Sequence, residues 1–243
     1  MVEETAVLAP ERARCLSGSA LKLIAITTMI ADHVTKRILV AYAAYTTPIA
    51  LLGGASLAHI GESVGRLAFP LYCFLLVEGF CHTHDRRRYG INLLVFALLS
   101  EVPFDLSRTL MPYDPSYQNV FVTLFVSYLG LCAYEGLRDR ATERAVAVIG
   151  LALLSMALQC DYGPRGFAMV LMLYVLRSDA LAKTALGCCI TLATWRAGLA
   201  FIPINLYNGK RGFVRGPILK YAFYAAYPVH LLVLWHARVR LGI

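Results

Sequence analysis

Asp32 and His33 stand side by side in an apolar stretch, residues 20–45, that is long enough to cross a bilayer. An ionisable side chain at membrane depth costs several kcal/mol unless it faces a partner or a polar cavity. A neutral imidazole beside a carboxylate is also the usual means of moving protons near neutral pH. His230, halfway along the last apolar run in Tyr227-Pro228-Val229-His230-Leu231, supplies a second imidazole. Asp32, His33 and His230 are therefore the candidate catalytic residues. Lys36 is four residues after Asp32 and shares its helical face, so a plain buried ion pair is the competing reading of this corner.

More polar residues gather at one depth. Arg66 follows Glu62 by one helical turn, in Gly65-Arg66-Leu67-Ala68-Phe69-Pro70. Glu101 and Asp105 share a face across Pro103, and Gln118 and Asn119 open the next apolar run. Singly, each reads as polar glue between helices. Together they predict a polar cavity open to the outer face, with two histidines near its floor. At the other depth, His82, His84, Arg86, Arg87 and Arg88 crowd one loop, and Lys210 and Arg211 lie in Asn208-Gly209-Lys210-Arg211-Gly212. Arginine forks match phosphate oxygens, so Arg86, Arg87, Arg88, Lys210 and Arg211 are candidates to dock a phosphorylated cytosolic donor. The ordinary excess of cations on the inner side of a membrane is the competing explanation.

These residues need elements to hold them. The chain has 243 residues, 58% of them hydrophobic, a mean hydropathy of +0.61, and only 16% charged residues where a soluble domain would carry nearer a quarter. Apolar runs recur along its whole length, which predicts an all-α, polytopic membrane bundle. About nine spans (eight to ten) are read, near 20–43, 61–82, 91–107, 118–136, 141–159, 163–177, 179–195, 198–207 and 218–238. The run at 198–207 is too short to cross unaided and reads as a half-helix or the end of a broken seventh span.

With the N-terminus inside, fifteen cations fall on the cytoplasmic side: Arg12, Arg14, Lys22, Arg86, Arg87, Arg88, Arg138, Arg140, Arg144, Arg177, Lys183, Lys210, Arg211, Arg215 and Lys220. Only five, Arg108, Arg165, Arg196, Arg238 and Arg240, fall outside. That bias sets the orientation, and the net charge of +8 then needs no nucleic-acid partner. Residues 1–19 read as a cytoplasmic tail rather than a signal peptide, since Glu3, Glu4 and Glu11 precede any apolar core. Residues 20–240 read as a single domain in the inner or plasma membrane. The seven cysteines show no metal-ligand spacing, so no metal is expected. Neither an internal repeat nor a glycine-rich phosphate loop is found.

The chain resembles the TraX family, membrane proteins named for the enzyme that acetylates the N-terminus of conjugative F-type pilin. The resemblance is carried by Leu21-Lys22-Leu23-Ile24-Ala25 running into Met29-Ile30-Ala31-Asp32-His33, by Gly65-Arg66-Leu67-Ala68-Phe69-Pro70, and by Glu78-Gly79-Phe80. It continues through Ser100-Glu101-Val102-Pro103-Phe104-Asp105, Gln118-Asn119-Val120-Phe121, Asp161-Tyr162-Gly163 with Gly166, Tyr207-Asn208-Gly209-Lys210-Arg211-Gly212, and Phe223 to Leu231. Their order covers nearly the whole chain. Pro164 and Arg165 depart from the more apolar residues expected after Asp161-Tyr162-Gly163.

The resemblance implies a transmembrane acyltransferase that takes acetyl from cytosolic acetyl-CoA, with a histidine of an early span, here His33, as catalyst. It implies an acceptor amine or hydroxyl on the outer side, from pilin or another cell-surface molecule. In that scheme His33 is the general base and Asp32 pairs with Lys36 or Arg66. His230 orients the acceptor or donates to the oxyanion, and Arg66, Glu101, Asp105, Gln118, Asn119 and Tyr162 contact the acceptor. An acetyl-histidine intermediate and direct transfer both remain open. The sequence also admits a secondary transporter with a midplane Asp/His/Arg site, and a non-catalytic membrane assembly protein.

Overall fold

The computed structural model describes residues 14–49 and 54–243. Arg12 and the acidic residues Glu3, Glu4 and Glu11 lie outside the described residues. Among the described residues the fold is helical throughout, without a strand. Helix α1 (Gly18–Arg37) is followed by the short α2 (Ala43–Thr46), then α3 (Leu57–Gly65), α4 (Ala68–His82), α5 (Arg86–Thr109) and α6 (Val120–Gly136). The chain continues through α7 (Ala141–Ala157), α8 (Gly163–Val175), α9 (Ala180–Ile190), the short α10 (Phe201–Asn205) and α11 (Gly216–Leu241). This is a helical membrane protein. Leu57–His82, Arg86–Thr109 and Gly216–Leu241 are long and apolar enough to cross a bilayer, and Val120–Gly136, Gly163–Val175 and Ala180–Ile190 are shorter apolar helices.

Several boundaries differ from those read in the sequence. The first apolar run is helical only to Arg37, because the backbone turns out of the helical region at Ile38 (φ −122°, ψ −59°). Arg86, Arg87 and Arg88 belong to the first turn of α5 rather than to a loop. The Asp85 carboxylate caps that turn by accepting from the Arg88 amide at 2.8 Å. The seventh and eighth runs form one broken segment: α9 ends at Ile190, a 3₁₀ stretch covers residues 192–200 with a kink at Thr194, and α10 closes it. Pro164 sits in the first turn of α8, where the missing N–H leaves no intrahelical bond unmade.

The core lies where α1, α4, α6, α8 and α11 meet. Leu21, Ala25 and Met29 of α1 pack there with Leu71, Phe74, Val77 and Phe80 of α4 and with Leu131, Val170 and Leu231. Helix α7 buries only Ser155, and its Val146, Ile149 and Leu153 face outward. In a bilayer such a face meets lipid without a hydration cost. Helices α1 and α3 approach closely because α3 presents glycines at positions 61 and 65. A Cβ at Gly61 would stand 2.2 Å from the Thr35 hydroxyl, and one at Gly65 would stand 2.1 Å from Asp32 Cβ. Asp32 and Thr35 are thereby clamped against a neighbouring backbone.

The N-terminus of α1 is covered by the segment that precedes α11. The amides of Gly18 and Ser19 donate to the carbonyls of Lys210 (2.8 Å) and Arg211 (2.9 Å). The Ser19 hydroxyl donates to the Arg211 carbonyl at 2.7 Å and accepts from the Val214 amide at 2.8 Å. Helix-end N–H groups that would otherwise lack partners are used to hold the 206–214 strap in place. Gly212 (φ +84°) lies against Ser17 and Ser19, where a side chain would find neither space nor an allowed backbone.

Candidate active site

His33 on α1 and His230 on α11 meet inside the bundle. His33 Nδ1 is 2.7 Å from His230 Nε2, and the two rings lie within 4° of one plane with centres 5.0 Å apart. That centre-to-centre distance is one hydrogen bond plus two ring radii, so the rings meet edge to edge in a common plane and are not stacked face to face. Pro228 lies inside α11 two residues before His230. His230 Nδ1 lies 2.8 Å from the Ala226 carbonyl, one turn back on the same helix.

The network assigns the tautomers. A carbonyl can only accept, so His230 Nδ1 carries a proton, and in the neutral ring Nε2 is then bare. His33 Nδ1 must donate to that bare nitrogen. His33 Nε2 is left with a free lone pair, which is the form a general base requires. Tyr227 closes one side of the pair, with its ring centre 6.2 Å from His33 and 5.6 Å from His230.

Beside the imidazoles, one ion pair lies along a single face of α1. Lys36 Nζ holds Asp32 Oδ2 at 2.6 Å, as i, i+4 spacing on α1 permits, while Asp32 Oδ1 is buried without a hydrogen-bond partner among the described residues. Arg37, one turn beyond His33 on α1, is within electrostatic range of Arg238, Tyr227, Arg108 and Asp161. Tyr117 donates to the Asp161 carbonyl at 2.6 Å and to its carboxylate at 3.0 Å. Burial first, and then Asp161, push the Tyr117 phenol up to about 12, so it remains a donor.

The remaining residues singled out in the sequence are placed as follows. Glu101 receives the side-chain amide of Asn119, which also donates to the Ala97 carbonyl at 2.9 Å and caps α6 by accepting from the Phe121 amide. Asp105 accepts from the Asp114 amide at 2.8 Å, and Arg108 pairs with Asp114 at 2.5 Å. The Gln118 backbone bridges to Gln159 and Asp161. Tyr162 lies flat on Phe69, with ring centres 3.4 Å apart. Glu101, Asp105, Gln118, Asn119 and Tyr162 thus all take part in holding the loops and helix ends at the Arg108 end. Even so, Glu101 Oε1 and Asp105 Oδ1 are buried without a hydrogen-bond partner among the described residues. Among the described residues, Arg66 makes no salt bridge with Asp32, which pairs with Lys36 instead. Arg66 lines a separate cavity of about 250 Å³ with Glu62, Trp195 and Arg196.

A larger cavity, about 610 Å³, runs through the other half of the bundle. Its mouth carries Lys22, His82, His84, Arg211 and Lys220, and its walls include Tyr72, Tyr89, Phe121 and Tyr224. Met29 and Tyr227 border it nearest the histidines, Met29 being one turn before His33 on α1. Arg211 borders this cavity, whereas Lys210, Arg87 and Arg88 are exposed and do not. Arg86 is held by Glu135 at 2.5 Å and lies over the Phe80 ring at 4.3 Å.

A family model described as TraX protein matches residues 17–238. The chain belongs to the TraX family. It is also 29% identical over 248 aligned positions to a protein of Dichelobacter nodosus named probable fimbrial assembly protein FimC, serogroup H1; the match covers 92% of this chain and 96% of that one. No solved structure matches. The family match takes in both histidines and all of the large cavity's mouth, so the site described lies within the part of the chain that TraX proteins share.

Sequence reasoning reached both histidines but missed four things that surround them. The contact between the histidines, 197 residues apart, has no signature in local spacing. Arg37 had one, since it stands four residues after His33 on the same face. Lys22 and Lys220 were counted only as inner-side cations. The close approach of α1 and α3 was legible as Gly61 and Gly65 four apart, a small-residue pattern that favours tight helix contact.

Proposed function

We propose that this protein is a membrane-embedded acyltransferase that moves acetyl from cytosolic acetyl-CoA to an amine or hydroxyl presented on the outer side. The observation that carries the reading is the coplanar His33–His230 pair, whose hydrogen bonds leave His33 Nε2 bare; Met29 and Tyr227, which border the large cavity, stand next to the pair. His33 Nε2 takes the proton of the acceptor as its nitrogen or oxygen attacks the thioester carbonyl. The tetrahedral intermediate collapses with cleavage of the carbon–sulfur bond, and the proton on His33 passes to the departing thiolate. The acceptor gains an acetyl group and CoA leaves as the thiol. His230 is a positioning residue: by accepting from His33 Nδ1 it holds the reactive tautomer and shares the positive charge that develops. A positioned histidine base contributes roughly 10²–10⁴-fold to rate.

Two further features support this reading. Cations at one mouth suit a phosphorylated donor, and buried groups of Asp32, Arg37, Glu101, Asp105 and Arg238 that lack a partner among the described residues suit a polar acceptor entering from the opposite end. With the inner side assigned by the charge bias, the donor cavity opens to the cytoplasm. The name of the Dichelobacter nodosus relative supports a setting in pilus or fimbrial assembly, with pilin or another surface molecule as acceptor. The same name favours one alternative, a non-catalytic assembly role.

Purified protein in nanodiscs with radiolabelled acetyl-CoA separates the two. Acyl transfer requires His33-dependent release of CoA thiol with the label passing to an acceptor or to water. Acetyl-CoA consumption that is absent, or equal in wild type and His33→Gln, would favour the assembly role.

A further inference from the structure

Resting on the acyl-transfer reading, we infer that Lys22, Arg211 and Lys220 form the phosphate-binding site of the donor, which is recognised as an anionic, nucleotide-like head with a long flexible arm. The three cations come from the start of α1, the 206–214 strap and the first turns of α11, and all line the mouth of the large cavity. None of them is in a salt bridge among the described residues. Among the described residues, Glu78 is the one acidic residue that borders the same cavity.

Cations gathered beside a low-dielectric cavity repel one another and lose hydration, so the arrangement favours occupancy by an anion. The strap explains why side chains, and not the helix end, do the binding. The amides of Gly18 and Ser19 are already taken by the carbonyls of Lys210 and Arg211, so the N-terminus of α1 has little left to offer a phosphate. Those same bonds hold the Arg211 backbone against the first turn of α1, three residues before Lys22.

The arm follows from length. Lys22 and His33 are separated by roughly 16 Å of helix at 1.5 Å per residue. A pantetheine-type arm is about as long as four extended residues, roughly 14 Å. An acyl thioester whose phosphates rest on Lys22 and Lys220 would therefore bring its carbonyl past Met29 to the histidine pair. The aromatic walls suit the apolar parts of that arm. The Arg86 group is less suited, since Arg86 is engaged by Glu135 and Phe80, and Arg87 and Arg88 do not border the cavity.

A phosphodiester could also come from an anionic lipid headgroup, so the test has two arms. Coenzyme A is titrated into the full-length protein in phosphatidylcholine nanodiscs, and again in nanodiscs containing phosphatidylglycerol. Wild type is compared with Lys22→Gln, Lys220→Gln, their Lys→Arg counterparts, Arg87→Gln, and Arg138→Gln as an exposed control. We expect each Lys→Gln change to raise the Kd for CoA about tenfold in the neutral discs. The Lys→Arg variants should restore binding, which excludes misfolding, and Arg138→Gln should match wild type. Phosphatidylglycerol should compete with CoA weakly or not at all.

Unchanged CoA binding in Lys22→Gln and Lys220→Gln, or loss in Arg87→Gln instead, overturns the assignment. So does an absence of CoA binding by wild type in neutral discs, or phosphatidylglycerol displacing CoA stoichiometrically, which would make this a lipid site. Lysine-dependent CoA binding without any His33-dependent thiol release would keep the phosphate site and reject the acyl-transfer reading.

Discussion

At the scale of single residues, the proposal depends on which nitrogen is bare. If His33 Nε2 is the base, His33→Gln should abolish turnover, with a loss of about 10²–10⁴-fold, in a protein that still inserts, elutes as a single species and binds CoA. Near-normal turnover in that variant would remove His33 from the chemistry. His230 should behave differently because its part is to accept a hydrogen bond. His230→Gln retains a carbonyl oxygen that can accept from His33 Nδ1, whereas His230→Ala removes the acceptor and frees the tautomer. We therefore expect His230→Gln to keep most of kcat and His230→Ala to lose at least about tenfold, with KM for acetyl-CoA unchanged in both, as loss confined to the chemical step requires. Equal activity in the Gln and Ala variants would show that the contact with His33 is only packing.

At the scale of elements, the site depends on how closely α1 can lie against α3. Gly61 and Gly65 leave room for the side chains of Thr35 and Asp32, and an added Cβ would come within 2.2 Å of the Thr35 hydroxyl and 2.1 Å of Asp32 Cβ. Gly65→Ala must push α1 away, at a cost of about 1–3 kcal/mol for overpacking. The expected outcome is a lower thermal midpoint in detergent together with reduced turnover, since α1 carries His33. A Gly65→Ala protein with wild-type stability would mean that the two helices are not in contact. Helix existence was legible in the apolar runs, and so was the Asp32–Lys36 pair from its spacing. The breaks were not. Residues 38–42 and 191–200 remain apolar where the helix ends, because hydropathy reports burial in lipid and carries little information on backbone conformation. Arg86, Arg87 and Arg88 read as a loop because charge marks a water interface, yet the Asp85 cap makes them the first turn of a helix. The His33–His230 contact was illegible for a different reason: it depends on how α1 and α11 pack, which no local pattern encodes.

At the scale of the molecule, the mechanism needs two opposite openings. Lys22, His82, His84, Arg211 and Lys220 come from three distant parts of the chain and border one cavity mouth, while Arg37, Arg108 and Arg238 gather at the other end of the bundle. The same division appears in the cation count, fifteen against five, that predicts a cytoplasmic N-terminus. If the count governs insertion, the Lys22 end faces acetyl-CoA and the Arg108 end faces the acceptor. Ser178 and Tyr113 are both exposed and report on opposite ends, whereas Ser107 is buried and could not be labelled. In a background with the seven cysteines replaced, Tyr113→Cys in intact cells should react with a membrane-impermeant maleimide, and Ser178→Cys should react only after the membrane is opened. The reverse pattern would turn the molecule over. The cationic cavity would then open away from the cytosolic pool of acyl-CoA, and no rearrangement of His33 and His230 could rescue a cytosolic donor.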